Sequence, residues 1–209
     1  MDKISYRDED LCKMKIIGIT GGIGSGKTAV LSIFKEEYGA FVMEADDLAH
    51  RLMEPGHRSY ADIINAFGDG ILADDKTIDR AELGAIVFND PSKLEKLNQI
   101  THPNVKNAII ESIEQQRAAG CELYILEAAL LIQDGYLSIC DEMWFVYADM
   151  EVRIERLCKY RGFSRDKAMA VIRSQEPDSY YEANCLKKID NSGNREELRN
   201  HIKTAMGIL

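Results

Sequence analysis

Four short apolar segments along the chain, and a fifth of mixed character at its end, predict the strands of one sheet. They lie at residues 15–20, 40–43, 123–126, 142–147 and 186–189. Nearly continuous apolar runs of this length are typical of parallel strands that are covered on both faces. Helical patterns separate them, at 28–37, at 44–54 and as two helices between 151 and 174 that are divided by a turn at 161–162. Strands that alternate with helices predict an α/β fold, a parallel sheet flanked by helices.

The longest stretch without a strand signal lies between residues 59 and 120 and is mostly helical and charged. We interpret it as a helical insertion that binds the substrate, and residues 150–180 as a lid. The first 13 residues are polar and predict a flexible extension, so that Met14 could be the natural start. The expected organisation is a single domain over 14–209, with its core in 14–58, 121–149 and 186–209.

Composition narrows the class of partner. The 209 residues carry a formal net charge of −9, which argues against broad electrostatic binding to nucleic acid or to an anionic membrane. No apolar run is long enough to cross a bilayer. Five cysteines are scattered without a paired motif, and we expect them to be reduced thiols of a cytoplasmic protein: Cys12, Cys121, Cys140, Cys158 and Cys185.

A glycine-rich segment between the first strand and the first helix carries the strongest chemical signal. It satisfies the pattern G-x-x-x-x-G-K-[ST] in full, with Gly21-Gly22-Ile23-Gly24-Ser25-Gly26-Lys27-Thr28. Such a loop turns consecutive N–H groups, and the positive end of a helix dipole, towards phosphates. Lys27 is then expected to bridge the β- and γ-phosphates of ATP, and the Thr28 hydroxyl to ligate Mg²⁺. A glycine-rich turn that binds nothing is the alternative, and the strand and helix around the motif disfavour it.

A phosphate loop by itself leaves kinases, GTPase switches and motor ATPases open. A GTPase needs an NKxD segment, but residues 187–190 read KKID and lack the leading Asn. Its DxxG should follow an early strand, whereas the one DxxG here lies at 190–193, too late in the chain to sense a γ-phosphate. The switch reading is therefore disfavoured.

An ordered series of segments resembles the dephospho-coenzyme A kinase family of nucleotide-kinase-like P-loop proteins. From about residue 14 to 202 the carriers are IIGITGGIGSGKT, EADDLAHRLMEPG, FGDGIL, IDRAELGAIVFND, LNQITHPNV, LEAALLIQDGY and KKIDNSG. The resemblance implies transfer of the γ-phosphate of ATP, with Mg²⁺, to the ribose 3′-hydroxyl of dephospho-coenzyme A. A P-loop kinase of another nucleoside or nucleotide, and a nucleotide-binding regulator without turnover, remain alternatives. The oligomeric state stays open.

The same resemblance assigns the acceptor side. Asp46 matches the acid proposed as base for the 3′-hydroxyl, although capping of a helix by Asp46 or Asp47 is the alternative. Glu127 could hold Mg²⁺ water or the acceptor, or be a charge at a strand end. Arg80 could pair with a phosphate of the acceptor, or be a surface residue. His102, the other candidate on the insertion, could instead shape a helix start before Pro103.

The predicted lid carries arginines that could clamp a triphosphate. Arg156 matches a family arginine and is expected to stabilise charge on the transferring group, and Asn191 matches the family loop near the adenine. The alternatives are a solvated helix with i,i+4 pairs to Glu151 and Glu155 and a turn without a ligand. The sequence departs from the family pattern at Arg153, Tyr160, Val171, Ala129 and Gln133, which leaves the lid chemistry and the acceptor open.

Overall fold

A computed structural model describes residues 14–128 and 130–208 of the chain. The predicted extension at 1–13, with Cys12, lies outside the described residues, and so does the departure at Ala129. Met14, the first described residue, is buried at the start of the core.

Five strands form a single sheet in the order β2-β3-β1-β4-β5. Their bounds are Lys15–Thr20 (β1), Phe41–Glu44 (β2), Leu123–Glu127 (β3), Glu142–Tyr147 (β4) and Lys187–Asp190 (β5). The central strand β1 pairs in parallel with both β3 and β4, and β4 pairs in parallel with β5. The predicted α/β fold, a sheet flanked by helices, is therefore confirmed.

Nine helices accompany the strands within the described residues. They are Lys27–Glu37 (α1), Ala45–Leu52 (α2), Arg58–Phe67 (α3), Arg80–Phe88 (α4), Pro91–Ala118 (α5), Met150–Arg161 (α6), Arg165–Arg173 (α7), Asp178–Asn184 (α8) and Arg195–Met206 (α9). The turn predicted at 161–162 is confirmed, because Gly162 ends α6 in the left-handed conformation that glycine adopts without steric cost. The short helix α8 has no counterpart among the predicted elements.

The main core lies where α1 and α9 meet the sheet. Phe34 on α1 is fully buried, and its ring lies 5.7 Å from that of Trp144 on β4 and 5.5 Å from that of Tyr38. Ile17 and Ile189 from the strands join the same cluster. Complete burial of such side chains contributes about 1.5–3 kcal/mol each, so the sheet holds the first turn of α1 in a fixed place.

The chain divides into two compact units, one formed by 14–42 with 115–208 and the other by 43–114. The first contains the phosphate loop, most of the sheet and helices α6 to α9. The second has its own apolar cluster, in which Ile63, Ile71 and Leu83 are buried. This second unit begins at Met43, earlier than the insertion predicted at 59–120, and therefore includes α2 and Asp46.

One expectation about the second unit is wrong. His102 and Pro103 do not begin a helix, because both lie inside the 28-residue helix α5. Proline is most often placed at helix starts, since it lacks the N–H that an interior position needs. The helix continues on both sides of Pro103 here, so a local rule about proline gives the wrong helix start.

Candidate functional site

The phosphate loop connects the carboxyl end of β1 with the amino end of α1. Gly26 is the residue that caps the helix, and its φ of 85° is a left-handed conformation that favours glycine. The first N–H groups of a helix have no partners inside the helix and point out of its end. The loop therefore presents donors and the positive end of the α1 dipole to an anion, as the sequence pattern predicts.

Lys27, the first residue of α1, turns its ammonium group back over the loop. Its Nζ donates to the Gly21 carbonyl at 2.9 Å and lies 3.5 Å from Oε1 of Glu127. Glu127 ends β3 beside Ile19 of β1 and is only 8 % exposed. A buried carboxylate is costly without a positive partner, so this pairing satisfies both charges. The arrangement keeps a cation beside the loop and a carboxylate within reach of it.

Two hydroxyl groups at the loop are buried without a hydrogen-bond partner among the described residues. They are Oγ1 of Thr20, at the end of β1, and Oγ of Ser25 within the loop. An unsatisfied buried hydroxyl costs about 1–3 kcal/mol. Orphaned polar groups of this kind are typical of sites that bind a polar ligand or ordered water. The N–H donors of the loop suit phosphate oxygens, and the hydroxyl oxygens suit the hard metal ion that accompanies a triphosphate.

Arg153 and Gln175 hold the tip of the loop from the side of α6 and α7. Nε of Arg153 donates to the Ile23 carbonyl at 2.9 Å, and its Nη2 donates to Oε1 of Gln175 at 3.1 Å. The same Gln175 oxygen accepts the Ile23 N–H at 2.7 Å. Arg153 is only 7 % exposed, and Asp178 lies 3.7 Å from its Nη1. Burial lowers the pKa of Arg153 and Asp178 opposes that effect, so the guanidinium stays charged.

Arg156 and Asn191 contact the loop's carbonyl groups. Nη1 of Arg156 donates to the Ser25 carbonyl at 3.2 Å, and its Nη2 donates to the Asn191 carbonyl at 2.7 Å. The side-chain amide of Asn191 donates to the Ser25 carbonyl at 2.7 Å. Asn191 is only 5 % exposed, and its N–H donates to the Tyr147 carbonyl of β4. The alternative of a solvated lid helix is therefore wrong for Arg156, and it is also wrong for Arg153.

The turn that carries Asn191 is fixed by its neighbours. Burial raises the pKa of the Asp190 carboxyl, but hydrogen bonds from the Ser192 hydroxyl and N–H outweigh it and lower the pKa below its ordinary value. The Ser192 hydroxyl also accepts the N–H of Asp149 at 3.0 Å, which ties the turn to the start of α6. A hydrogen bond to Asp149, together with burial, raises the pKa of Tyr147 to about 12. This Asn-Ser-Gly turn is therefore held in a fixed position beside the phosphate loop.

The second unit carries the three other predicted site residues, and all three are exposed there. Asp46 lies in the first turn of α2, where Glu44 is the capping residue, so the capping alternative for Asp46 or Asp47 is wrong. Arg80 is the first residue of α4, and His102 lies within α5. An exposed carboxylate at a helix start is stabilised by the helix dipole and is accessible to a ligand.

The contacts above divide the predicted site residues into two groups. Lys27, Glu127, Arg156 and Asn191 gather around the phosphate loop in the first unit, and Thr28 is exposed in the first turn of α1. The departures Tyr160, Val171 and Gln133 make no described contact with that loop. Gln175 and Arg153 are the loop partners that the sequence reasoning did not assign. The sole hint in the sequence was a polar pair in a helical region rich in surface charges.

Two further findings concern metals and membranes. Over residues 14–128 and 130–208, no three histidine, cysteine or acidic side chains are grouped so that they could hold a metal ion. A divalent ion at this site would therefore take most of its ligands from the nucleotide and from water, as Mg²⁺ commonly does. Among the helices that the structure describes, none combines the length and apolar character needed to span a membrane.

Comparison with known proteins identifies the family to which the chain is similar. A family model described as Dephospho-CoA kinase matches residues 15–197. Curated dephospho-CoA kinases from Carboxydothermus hydrogenoformans and Geobacter sulfurreducens are 42% and 40% identical to the chain. These alignments cover 92% and 91% of this chain and 93% and 96% of the relatives. The crystal structure of TT1252 from Thermus thermophilus has a TM-score of 0.78 and 29% identity, covering 94% of this chain and 98% of that one.

Proposed function

The chain belongs to the dephospho-CoA kinase family, and from that premise we propose that it transfers the γ-phosphate of ATP to the ribose 3′-hydroxyl of dephospho-CoA. Membership makes the chain an ATP-dependent kinase of a small molecule. The observation that carries the proposal is the pairing of Lys27 with Glu127 at the phosphate loop, because it puts a cation where a triphosphate would lie.

The nucleotide end of the reaction uses groups of the first unit. Loop amides from Gly22 to Gly26 and the start of α1 cradle the phosphates, and Lys27 turns from Glu127 to the β- and γ-phosphates when ATP binds. The Thr28 hydroxyl would hold Mg²⁺, which would supply positive charge to the phosphate oxygens. Glu127, released from Lys27, is left as an acceptor for metal-bound water or for the acceptor molecule.

Charge that develops on the transferring phosphoryl group needs a further cation. Arg156 supplies it in this proposal, moving from the carbonyls of the loop to the phosphate oxygens. Its present contacts support a location beside the loop, since Nη1 donates to the Ser25 carbonyl at 3.2 Å. Asn191, whose amide donates to the same carbonyl, holds the loop near the adenine side.

The acceptor end uses the second unit. Asp46 accepts the proton of the 3′-hydroxyl as that oxygen attacks the γ-phosphorus and the bond to the β-phosphate oxygen breaks to release ADP, because an exposed carboxylate can serve as a general base. Arg80 and His102 bind the acceptor's phosphate and pantetheine portion. The net charge of −9 argues against nucleic acid as the partner. A cytoplasmic location is part of the proposal, and the free thiols of the four described cysteines support it.

Substitution of two neighbouring acids tests the assignment of the base. Asp46 and Asp47 are both exposed in the first turn of α2, so Asp47→Asn is a matched control for Asp46→Asn. We expect Asp46→Asn to lower kcat by about 10²- to 10⁴-fold, with ATP affinity unchanged by calorimetry, because general-base catalysis is worth that range. Asp47→Asn should keep near-normal turnover. Near-normal kcat in Asp46→Asn would remove Asp46 from the mechanism.

A further inference from the structure

Arg153, Gln175 and Ile23 of the phosphate loop are joined in a closed set of three hydrogen bonds. The Ile23 carbonyl accepts from Nε of Arg153, and the Ile23 N–H donates to Oε1 of Gln175. Arg153 closes the triangle by donating to the same Gln175 oxygen at 3.1 Å. Both main-chain groups of Ile23 are therefore held by side chains far away in sequence. Such closed networks rigidify the segment that they hold.

The two side chains come from elements on either side of α7. Arg153 lies on α6, whereas Gln175 follows the end of α7, which ends at Arg173 with Ser174 as its cap. Arg153 also lies 3.7 Å from Asp178, the first residue of α8. One guanidinium thus joins the loop tip to the segment between α7 and α8. The Ile23 main chain and this segment are therefore linked by hydrogen bonds.

The close packing of Arg153 against the loop also requires glycine at position 22. A Cβ atom added to Gly22 would lie 2.2 Å from Nη2 of Arg153 and 3.0 Å from Oε1 of Gln175. Real Cβ atoms do not approach so closely, so the guanidinium packs against the main chain of the loop only because that residue has no side chain. The contact thus depends on three positions together.

We propose that Arg153 and Gln175 are positioning residues for ATP, and that they couple the α7–α8 segment to the phosphate loop. They bind Ile23 and so fix the direction of the loop amides that follow it, from Gly24 to Thr28. Neither side chain need touch the nucleotide. An ordered loop binds phosphate without a further loss of conformational entropy, so a loose loop binds it more weakly. This inference rests on the proposed function in one respect, the identity of ATP as the ligand.

Two substitutions of Gln175 separate the role of its hydrogen bonds from the role of its size. Gln175→Met keeps the size of the side chain but removes the acceptor, whereas Gln175→Glu keeps an acceptor oxygen and adds a charge opposite Arg153. We expect Gln175→Met to raise KM for ATP about tenfold, since a hydrogen bond to a charged group changes an equilibrium by at least that factor. KM for the acceptor and kcat should change less than threefold, on the order of one weak contact. Gln175→Glu should restore most of the ATP affinity.

An ion pair between the same helices provides the control. Arg165 on α7 contacts Glu151 on α6 at 2.7 and 2.8 Å, but both are exposed and neither contacts the loop. Arg165→Lys should leave KM for ATP as it is. Arg153→Lys, which keeps the charge but cannot contact Ile23 and Gln175 together, should resemble Gln175→Met.

Hydrogen exchange on the nucleotide-free protein tests the hydrogen bonds themselves. The Ile23 amide should exchange about ten times faster in Gln175→Met than in the unsubstituted protein or in Gln175→Glu, because its acceptor is gone. Unchanged exchange at Ile23, or an equal rise in both KM values with loss of folded protein, would overturn the proposal. ATP that fails to bind even the unsubstituted protein would contradict the proposed function, while the exchange result would still decide whether Gln175 holds the loop at Ile23.

Discussion

Substitution of Gly26 by alanine probes how tightly Asn191 packs under the phosphate loop. A Cβ atom at Gly26 would lie 2.3 Å from Nδ2 of Asn191 and 3.3 Å from Nη1 of Arg156. The Asn191 amide must then move away, and its 2.7 Å hydrogen bond to the Ser25 carbonyl is lost inside the protein. Leaving such a buried amide unpaired costs about 1–3 kcal/mol. The φ of 85° adds about 1–2 kcal/mol for any residue with a Cβ.

Gly39→Ala is the matched control for Gly26→Ala. Gly39 also has a positive φ, 62°, but no atom lies within 4 Å of a Cβ added there. Both substitutions share the backbone strain and the small effect of alanine on the unfolded chain, about 0.4–1 kcal/mol. The difference between the two is therefore the steric and hydrogen-bond part, about 1–3 kcal/mol in the free energy of unfolding.

Urea unfolding without nucleotide measures both changes. We expect Gly26→Ala to lose about 1–3 kcal/mol more than Gly39→Ala, and the excess to shrink when Asn191 is also alanine, because the clash partner is gone. Equal losses in the two single variants would refute the packing argument. An excess that persists in the double variant would move the clash away from Asn191 and onto Arg156.

Two further predictions concern pH and metal. Burial raises the pKa of Glu142, but hydrogen bonds from Lys15, Trp144 and Lys187 outweigh burial and lower the pKa to about 2. The stabilisation that these hydrogen bonds give the folded protein is therefore complete above pH 4.5 and is lost as the pH falls towards about 2. In urea unfolding measured against pH, Glu142→Gln should therefore reduce by about 1–2 kcal/mol the free energy of unfolding that is lost at acid pH, a modest amount because the lysines are partly solvated. An acid limb of the stability curve that is unchanged in this variant would contradict the pairing. Thr28→Ala should raise the Mg²⁺ concentration for half-maximal turnover at least tenfold, about 1.4 kcal/mol, while Thr28→Ser should not. An equal Mg²⁺ dependence in both variants would exclude the hydroxyl as a ligand.

The three central strands were predictable because β1, β3 and β4 are apolar runs that are almost wholly buried. The predicted bounds of β1 and β4 agree with the structure, and those of β2 and β5 differ by one residue. The phosphate loop was predictable for a different reason: its glycines and lysine act within eight consecutive residues. Local chemistry of that kind leaves a local trace in the sequence.

The surroundings of the loop were not predictable, because they depend on contacts across the fold. Arg153 and Ile23 are 130 residues apart, and Gln175 is 152 residues from Ile23. On its helix Arg153 looks like one more exposed cation, and only the packing of α6 against the loop buries it. The helix start considered before Pro103 was wrong for a related reason, since the contacts of the long helix α5 outweigh one missing hydrogen bond.

The phosphate transfer itself is tested most directly by the position of the new phosphate on the product. The protein is incubated with ATP, Mg²⁺ and dephospho-CoA, and the acceptor is then examined by ³¹P NMR, with a 3′-deoxy form of the acceptor as control. We predict one new phosphomonoester coupled to the ribose 3′ proton, formed in step with ADP and absent from the control. ADP release without that phosphomonoester, or a phosphate on another hydroxyl, would contradict the account.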